Sequence, residues 1–351
     1  MQTASQSSQM FLQMDGYDLT QLLYVGSHSL VYRGIRLSDK QPVVLKMLQS
    51  DSPSFQDHLR LRNHYILTKS LNLSGVVKPL ALVPYGNGSV LVMCDDGCRS
   101  LREEVAANSL TLADFLAIAI QLADILDGLY QHRIIHKDIK PSNILIHPNI
   151  GYVKITDFGL ASQLSQETQE LKALGILEGT LAYLSPEQTG RMNRGIDYRS
   201  DFYSLGVTFY ELLTGQLPFQ SADPLELVYC HLAKEPMPLD QAQDKNARLK
   251  IPKVISDLVL KLMAKDAEAR YQSALGLKHD LEVCLHQLNQ TGSITEFAIG
   301  TKDLSDRFTI SEKLYGREAE VASLLATFDR VSEGNSELML VAGSSGIGKT
   351  V

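Results

Sequence analysis

The sequence lacks any long hydrophobic run. Its most apolar helix candidate, FLAIAIQLADIL, is broken by Gln121 and Asp124, so no stretch reads as spanning a bilayer. It also lacks an excess of positive charge. Against 33 Lys and Arg stand 40 Asp and Glu, a formal net charge of -7, which argues against a broad nucleic-acid or anionic-membrane surface. The opening MQTASQSSQM has neither the basic start nor the apolar centre of a secretory signal. Cysteine is scarce. Cys94, Cys98, Cys230 and Cys284 are too few for a disulfide framework and suit a reducing, cytoplasmic setting. Cys94 and Cys98 have no matching second pair, so they are read as ordinary thiols rather than a metal site.

What is present is enough for a real core. Apolar residues make up 44% of the 351-residue chain, and that length suggests about two domains of roughly 150 residues each. Residues 1–16 are rich in Gln and Ser and are expected to fray. From residue 17 to about 84 come short β-like runs, LTQLLYVG, LVYRGI, PVVLKML and VVKPLALV, interrupted by one helical stretch over 55–71. SVLVMC at 89–94 reads as a further strand. Beyond about residue 100 the period changes. Phe115, Ile118, Leu122, Ile125, Leu126 and Leu129 recur at three- and four-residue steps, as do Phe202, Leu205, Phe209 and Leu212. A β-rich part before an α-rich part predicts an α+β, two-lobed chain. Residues 286–307, containing NQTGS, read as a linker.

The strongest chemical signal is His136-Lys137-Asp138-Ile139-Lys140-Pro141-Ser142-Asn143, followed by Asp157-Phe158-Gly159. Phosphoryl transfer to a hydroxyl needs metals to neutralise phosphate charge and a carboxylate to orient the hydroxyl and take its proton. Asp138 suits the carboxylate role. Asn143 and Asp157 offer hard oxygen ligands for Mg²⁺, and Lys140 offers a cation for the moving phosphate. Upstream, Lys46 stands alone among apolar residues in VVLK, where a buried ammonium wants an anion. Downstream lie Gly179-Thr180, Ser185-Pro186-Glu187, Asp201 at the head of a helix, and Arg270 as a partner for Glu187.

In that order, from Lys46 to Arg270, these residues resemble the protein kinase family, and the likeness covers residues 17–285. The Lys-Pro-Ser-Asn run and Thr180 resemble its serine/threonine branch. The resemblance implies a small β-rich lobe, a larger helical lobe and ATP with Mg²⁺ between them. It implies Asp138 as catalytic base, with Lys140 and Thr180 organising transfer. Lys46 holds the α- and β-phosphates, and Asn143 and Asp157 bind the metal. Gly26, Ser29 and Val31 belong to the phosphate-covering loop, and Met93 to Asp95 form the hinge that meets adenine through backbone. Glu187, Asp201 and Arg270 are structural. The implied acceptor is a protein Ser or Thr, in signal transduction, with autophosphorylation included and neither nucleic acid nor membrane as partner.

The family pattern is broken in three places. The covering loop reads Tyr24-Val25-Gly26-Ser27-His28-Ser29-Leu30-Val31, with one of three glycines kept and Tyr24 the poorest fit where backbone must approach phosphate. Active kinases pair the strand lysine with a glutamate on the next helix, yet no glutamate occurs between Lys46 and Glu103, and His64 takes that place. Neutral His64 can accept one hydrogen bond from Lys46 but supplies no full charge. Asp57, two turns earlier and roughly 10 Å along the axis, is too far to substitute. Lys137 replaces an arginine that pairs with phosphate on the activation segment, leaving Ser162, Ser165 and Thr168 as candidate acceptors with a weaker partner. These breaks keep an alternative open, a pseudokinase or nucleotide-binding regulatory module.

The sequence closes on LMLVAGSSGIGKTV. Gly343, Gly348, Lys349 and Thr350 fit the phosphate-cradling P-loop, after an apolar run over 338–342 that reads as a strand. The preceding tract, LYGREAEVASLLATFDRV, has helical spacing at Val321, Leu324, Leu325 and Phe328. It resembles the first part of the AAA/STAND-type ATPase domain that follows a serine/threonine kinase in bacterial hybrid signalling proteins. Residues 308–351 are therefore expected to be a truncated piece of that domain. No second acidic motif follows to bind its metal, so no NTP hydrolysis is expected from Lys349 or Thr350.

Overall fold

Along residues 43–47 every second side chain is apolar and buried, Val43, Leu45 and Met47, and this period of two sets a half-buried strand. That strand is β3 (Pro42–Leu48), third in a meander after β1 (Tyr17–Val25) and β2 (Ser29–Arg36). The structure is a computed structural model. It describes residues 14–50, 52–163, 180–192, 194–242, 250–304, 316, 318–332, 336 and 338–340. Helix α1 (Phe55–Lys69) follows β3, then β4 (Pro79–Tyr85) and β5 (Gly88–Cys94). The five strands form one antiparallel sheet in the order β1-β2-β3-β5-β4. β1 and β2 press together at Gly34, where a Cβ would stand 2.6 Å from the Asp18 carbonyl oxygen. The opposite face of β3 carries Val44 and Leu48, which pack with Leu61 of α1 and with Leu91 and Met93. Lys46 lies between them on the same face, toward α1.

Helix α1 starts where Ser54 and Asp57 close a capping box, each side chain accepting from the other's backbone N–H. After a short β6 (Arg99–Ser100), the helical lobe opens with α2 (Leu101–Ala107) and α3 (Leu112–Gln131). The six apolar positions read on α3 are all buried. Between α3 and the next long helix run β7 (Ile134–Ile135), β8 (Ile144–Ile146), β9 (Val153–Ile155) and β10 (Ser162–Gln163). Helix α4 (Arg199–Thr214) is buried along nearly its whole length. Its Phe209 meets Phe115 of α3 edge to face at 5.1 Å, and Gly206 admits Leu262 and Met263 so closely that a Cβ would be 2.8 Å from both. Helices α5 (Pro224–Ala233), α6 (Leu239–Ala242), α7 (Lys253–Leu262) and α8 (Ala274–Thr291) complete the lobe.

The linker expectation needs correction at its start. Residues 286–291 belong to α8, which ends at Gly292 with φ 71°. Leu277, Leu281 and Cys284, with Leu285 and Leu288 beside them, continue one apolar face, and that period outweighs the polar Gln and Asn between them. The chain then folds back. Ile294, Phe297 and Ile299 pack on the helical core. Asp303 accepts from the N–H groups of Gln272 and Ser273 at 2.8 Å each, at the head of α8.

Residues 305–351 form a second unit. It contains α9 (Glu318–Ser332), where helical spacing was read. Leu338, Met339 and Leu340 were read as part of a strand and are not in one. A strand needs a ladder partner for its backbone groups, and among the described residues none pairs with them. Gly343, Gly348, Lys349 and Thr350 lie outside the described residues. Among those described, no helix is long and apolar enough to cross a membrane.

Candidate active site

The loop between β7 and β8 is held from below by one carboxylate. Asp201, in the first turn of α4, accepts from the backbone N–H groups of His136 and Lys137, both at 2.7 Å. Lys137 has φ 68°, a left-handed conformation that needs such external fixing. Burial pushes the Asp201 carboxyl upward, opposed by His136 and by those two amides. Gln188 adds a bond to the Lys137 carbonyl at 2.9 Å. The His136 ring spans to the Thr156 carbonyl at 3.0 Å, and its other nitrogen faces the Asp138 N–H at 3.3 Å. A single neutral tautomer satisfies both contacts, with Nε2 donating and Nδ1 accepting.

On this base the predicted catalytic residues converge. Lys140 Nζ donates to Asp138 Oδ2 at 2.7 Å and to Thr180 Oγ1 at 2.6 Å. Asn143 Nδ2 donates to both the carbonyl and Oδ2 of Asp138, each at 2.9 Å. Asp138 and Asn143 are buried, while Thr180 is exposed. The Asn143 amide nitrogen is thus spent on Asp138, and its Oδ1 remains an oxygen donor.

Lys46 meets Asp157 across the cleft, Nζ to Oδ2 at 2.7 Å. Burial pushes the Asp157 carboxyl up, but Lys46 first, with His64 and Lys140, together outweigh it and hold that group well below the usual carboxylate range. Asp157 has φ 68°, a strained setting for a non-glycine residue. Phe158 beside it is fully buried between two imidazoles, His136 at 4.7 Å and His64 at 5.8 Å between centroids. The hydrogen bond expected from Lys46 to His64 is not made. Both His64 ring nitrogens are buried without a partner, and burial lowers its pKa to about 3. The ring works as an apolar wall for Phe158. Asp57 is occupied elsewhere, with its own cap and with His28 of the covering loop at 3.3 Å.

The covering loop is a tight turn in which the Gly26 N–H donates to the Ser29 carbonyl at 2.9 Å. Gly26 is not among the residues at positive φ. The Tyr24 ring crowds it from one side, with Cε1 2.7 Å from where an added Cβ would lie. Tyr24 lies along the turn and is half exposed. Ser29 and Val31 lie on β2, paired with Leu48 and Lys46. Met93 is buried at the end of β5. The backbone N–H groups of Cys94 and Asp95 donate to the Lys78 and Pro42 carbonyls, and the Asp95 carboxylate binds Arg33 at 2.5 Å. Those two amides, expected from the sequence to be available to adenine, are therefore already bonded to backbone carbonyls.

Beneath the site, Arg270 and Glu187 form the expected pair, fully buried and bidentate at 2.7 and 2.8 Å, with Ser200 on the same carboxylate. Sequence reasoning missed Gln188, which has no signature beyond its neighbours. It also missed Asn63 of α1, whose side chain reaches three carbonyls after Asp157. Ser162 lies on β10, and Ser165 and Thr168 lie outside the described residues.

Comparison with known sequences agrees with this geometry. A family model for the protein kinase domain matches residues 17–281, and one for an AAA ATPase domain matches residues 313–351. Serine/threonine-protein kinase PknB of Mycolicibacterium smegmatis is 34% identical over 76% of this chain and 42% of its own length. A probable serine/threonine-protein kinase of Clostridium perfringens is 29% identical over 84% of this chain and 41% of its own. Hybrid signal transduction histidine kinase G of Dictyostelium discoideum is 34% identical over 67% of this chain, which corresponds to 9% of that protein. The chain thus spans less than half the length of these curated relatives.

Proposed function

The chain belongs to the protein kinase family, and on that premise we propose that it is an active serine/threonine kinase that takes the γ-phosphate of ATP to protein hydroxyls. The observation that carries this is the bonded set Asp138, Lys140, Asn143 and Thr180, in which each chemical residue touches the next. A substrate hydroxyl placed at Asp138 would be oriented by its carboxylate and would lose its proton to it. Lys140 stands against that carboxylate and against Thr180, so it offers its charge where negative charge grows on the transferring group. Lys46, now on Asp157, is the cation for the nucleotide's inner phosphates.

Asn143 and Asp157 are the residues that would hold Mg²⁺. Two hard oxygen donors, together with nucleotide phosphates, suit an ion that keeps few protein ligands. Among the described residues no cluster of three His, Cys, Asp or Glu forms a cage of its own. The ion would neutralise phosphate charge during transfer.

We place the enzyme in the cytoplasm, in signal transduction, with protein Ser/Thr acceptors that include its own chain. The four free thiols support that compartment. A nucleotide-binding pseudokinase is the second reading, favoured by Tyr24 over the glycine turn and by His64 in place of a carboxylate. Incubation of the purified chain with ATP and Mg²⁺, alone and with a generic acceptor protein, followed by phosphosite mapping, separates the two. Modified Ser or Thr residues that are absent with Asp138→Asn are expected; bound ATP with no modified residue would favour the pseudokinase.

A further inference from the structure

The missing glutamate leaves α1 without a charge on Lys46, so something else must couple that helix to the site. Asn63, one residue before His64, supplies the contact. Its amide nitrogen lies 3.2 Å from the Phe158 carbonyl, 3.2 Å from the Gly159 carbonyl and 2.8 Å from the Ala161 carbonyl. Three carbonyls can only accept, so the NH₂ group faces them, its two hydrogens shared among three oxygens. The backbone is also close there. A Cβ on Gly159 would stand 3.3 Å from Cβ and 3.5 Å from the carbonyl oxygen of Arg60, one turn before Asn63 on α1. The same Cβ would stand 3.4 Å from Asp157 Oδ1. The segment that starts at Asp157 is therefore laid against α1 and clasped to it, while Asp157 itself keeps its left-handed φ of 68°.

We infer that Asn63 is a positioning residue, which fixes the backbone after Asp157 so that the Asp157 carboxylate is presented for metal and nucleotide, and which couples α1 to the site in place of a lysine–carboxylate pair. The inference rests on the reading of Asp157 as a ligand for the nucleotide's metal. It does not require that phosphate be transferred. Asn63 touches no substrate, and its effect passes through the three carbonyls. His64, stripped of any polar contact, serves packing against Phe158, and the neighbouring amide does the coupling.

The test uses the full chain and three variants. Asn63→Asp keeps the shape and replaces both donors by acceptors, Asn63→Ala removes the group, and Asn63→Gln keeps the donors on a longer arm. Amide hydrogen exchange without nucleotide reads the clasp through the backbone it orders, where the Ala161 N–H donates to the Phe158 carbonyl that Asn63 also binds. Exchange over residues 158–161 is expected to quicken about tenfold or more in Asn63→Asp and Asn63→Ala, the effect of losing one or two net hydrogen bonds. Asn63→Gln should recover part of it. Binding of a fluorescent ATP analogue is then titrated with Mg²⁺. The Mg²⁺ concentration for half-maximal binding should rise about tenfold in Asn63→Asp, with metal-free nucleotide binding unchanged. Unchanged exchange in Asn63→Asp overturns the clasp. Faster exchange with an unchanged Mg²⁺ requirement reduces Asn63 to a structural residue and overturns its positioning role, and so does a wild-type chain with no Mg²⁺-dependent nucleotide binding. Both effects in the variants, beside a wild-type chain that transfers no phosphate, would overturn only the kinase reading.

Discussion

The two walls of the cleft are held in different ways. On the helical-lobe wall, His136, Asp138, Lys140 and Asn143 lie within eight consecutive residues and bond to one another, with Asp201 fixing the backbone beneath. On the sheet wall, among the described residues, Lys46 pairs with Asp157 from across the cleft, the His64 ring nitrogens have no partner, and an aromatic ring lies along the glycine of the covering turn. The difference separates two tasks. Proton transfer and metal ligation, the tasks proposed for that wall, need particular atoms at particular places, and Asp138, Lys140 and Asn143 are the residue types those tasks require. Positioning of Lys46, Asp157 and the covering loop can be met by other contacts, and the sheet wall meets it with Asn63, Asp57 and Tyr24.

The contrast can be broken hardest at the base of the helical lobe. Arg270→Ala leaves Glu187 charged and buried without its bidentate partner, and breaking such a pair costs about 3–5 kcal/mol. Chemical denaturation should show that loss, and transfer should fall with it. A change under 1 kcal/mol would mean that the catalytic wall does not depend on this pair.

Acidification separates the two lobes next, because each contains a buried histidine whose pKa burial lowers, His64 in α1 and His231 in α5. Burial lowers their pKa values from 6.5 to about 3 and about 4. The unfolded chain therefore binds these protons first. The stabilisation they reflect is complete above about pH 6.5 and is lost as pH falls from there toward the folded values, at about 1.4 kcal/mol per pH unit for each group. In His231→Gln the slope between pH 6 and 5 should shrink by about one proton's worth. An unchanged slope would show that His231 is not the group titrating.

A smaller effect tests where the helical lobe ends. Asp303→Ala removes the side chain that accepts from Gln272 and Ser273 just before α8, and the loss of such a hydrogen bond costs about 0.5–1.5 kcal/mol. The melting temperature should fall accordingly, and no change would make residues 294–304 passive. The smallest effect belongs to the sheet wall. His28 is largely exposed where it meets Asp57, and exposed pairs are worth about 0–1 kcal/mol. His28→Ala should raise the KM for ATP by no more than about threefold and leave kcat unchanged. A tenfold rise would make this contact a principal holder of the covering loop.

The helical-lobe wall was the more legible one in the sequence, because its contacts are local. Asp138, Lys140 and Asn143 share one short loop, and only Thr180, Asp157, Asp201 and the Arg270–Glu187 pair come from farther away. The sheets and helices were legible wherever burial imposed a period, as on β3 and α3. The α8 extension was misread because its polar residues hid Leu285 and Leu288. The contacts of the sheet wall are long-range and chemically ambiguous. Nothing at Asn63 marks it as facing residues 158–161, nearly a hundred positions away. His64 suggested a hydrogen bond to Lys46, which the Lys46–Asp157 pair pre-empts. Gly26 suggested a backbone constraint, where the structure has neither a positive φ nor a backbone clash, only the Tyr24 ring beside it.

The most direct test of the claim that the catalytic wall is complete is a paired measurement on wild type and Asp138→Asn, ATP affinity beside single-turnover transfer to a Ser/Thr acceptor. In the proposed mechanism Asp138 acts on the hydroxyl and not on the nucleotide, so affinity should stay within about threefold while transfer falls about 10²–10⁴-fold. Equal transfer in both proteins, or tight ATP binding with no transfer in either, would contradict the account.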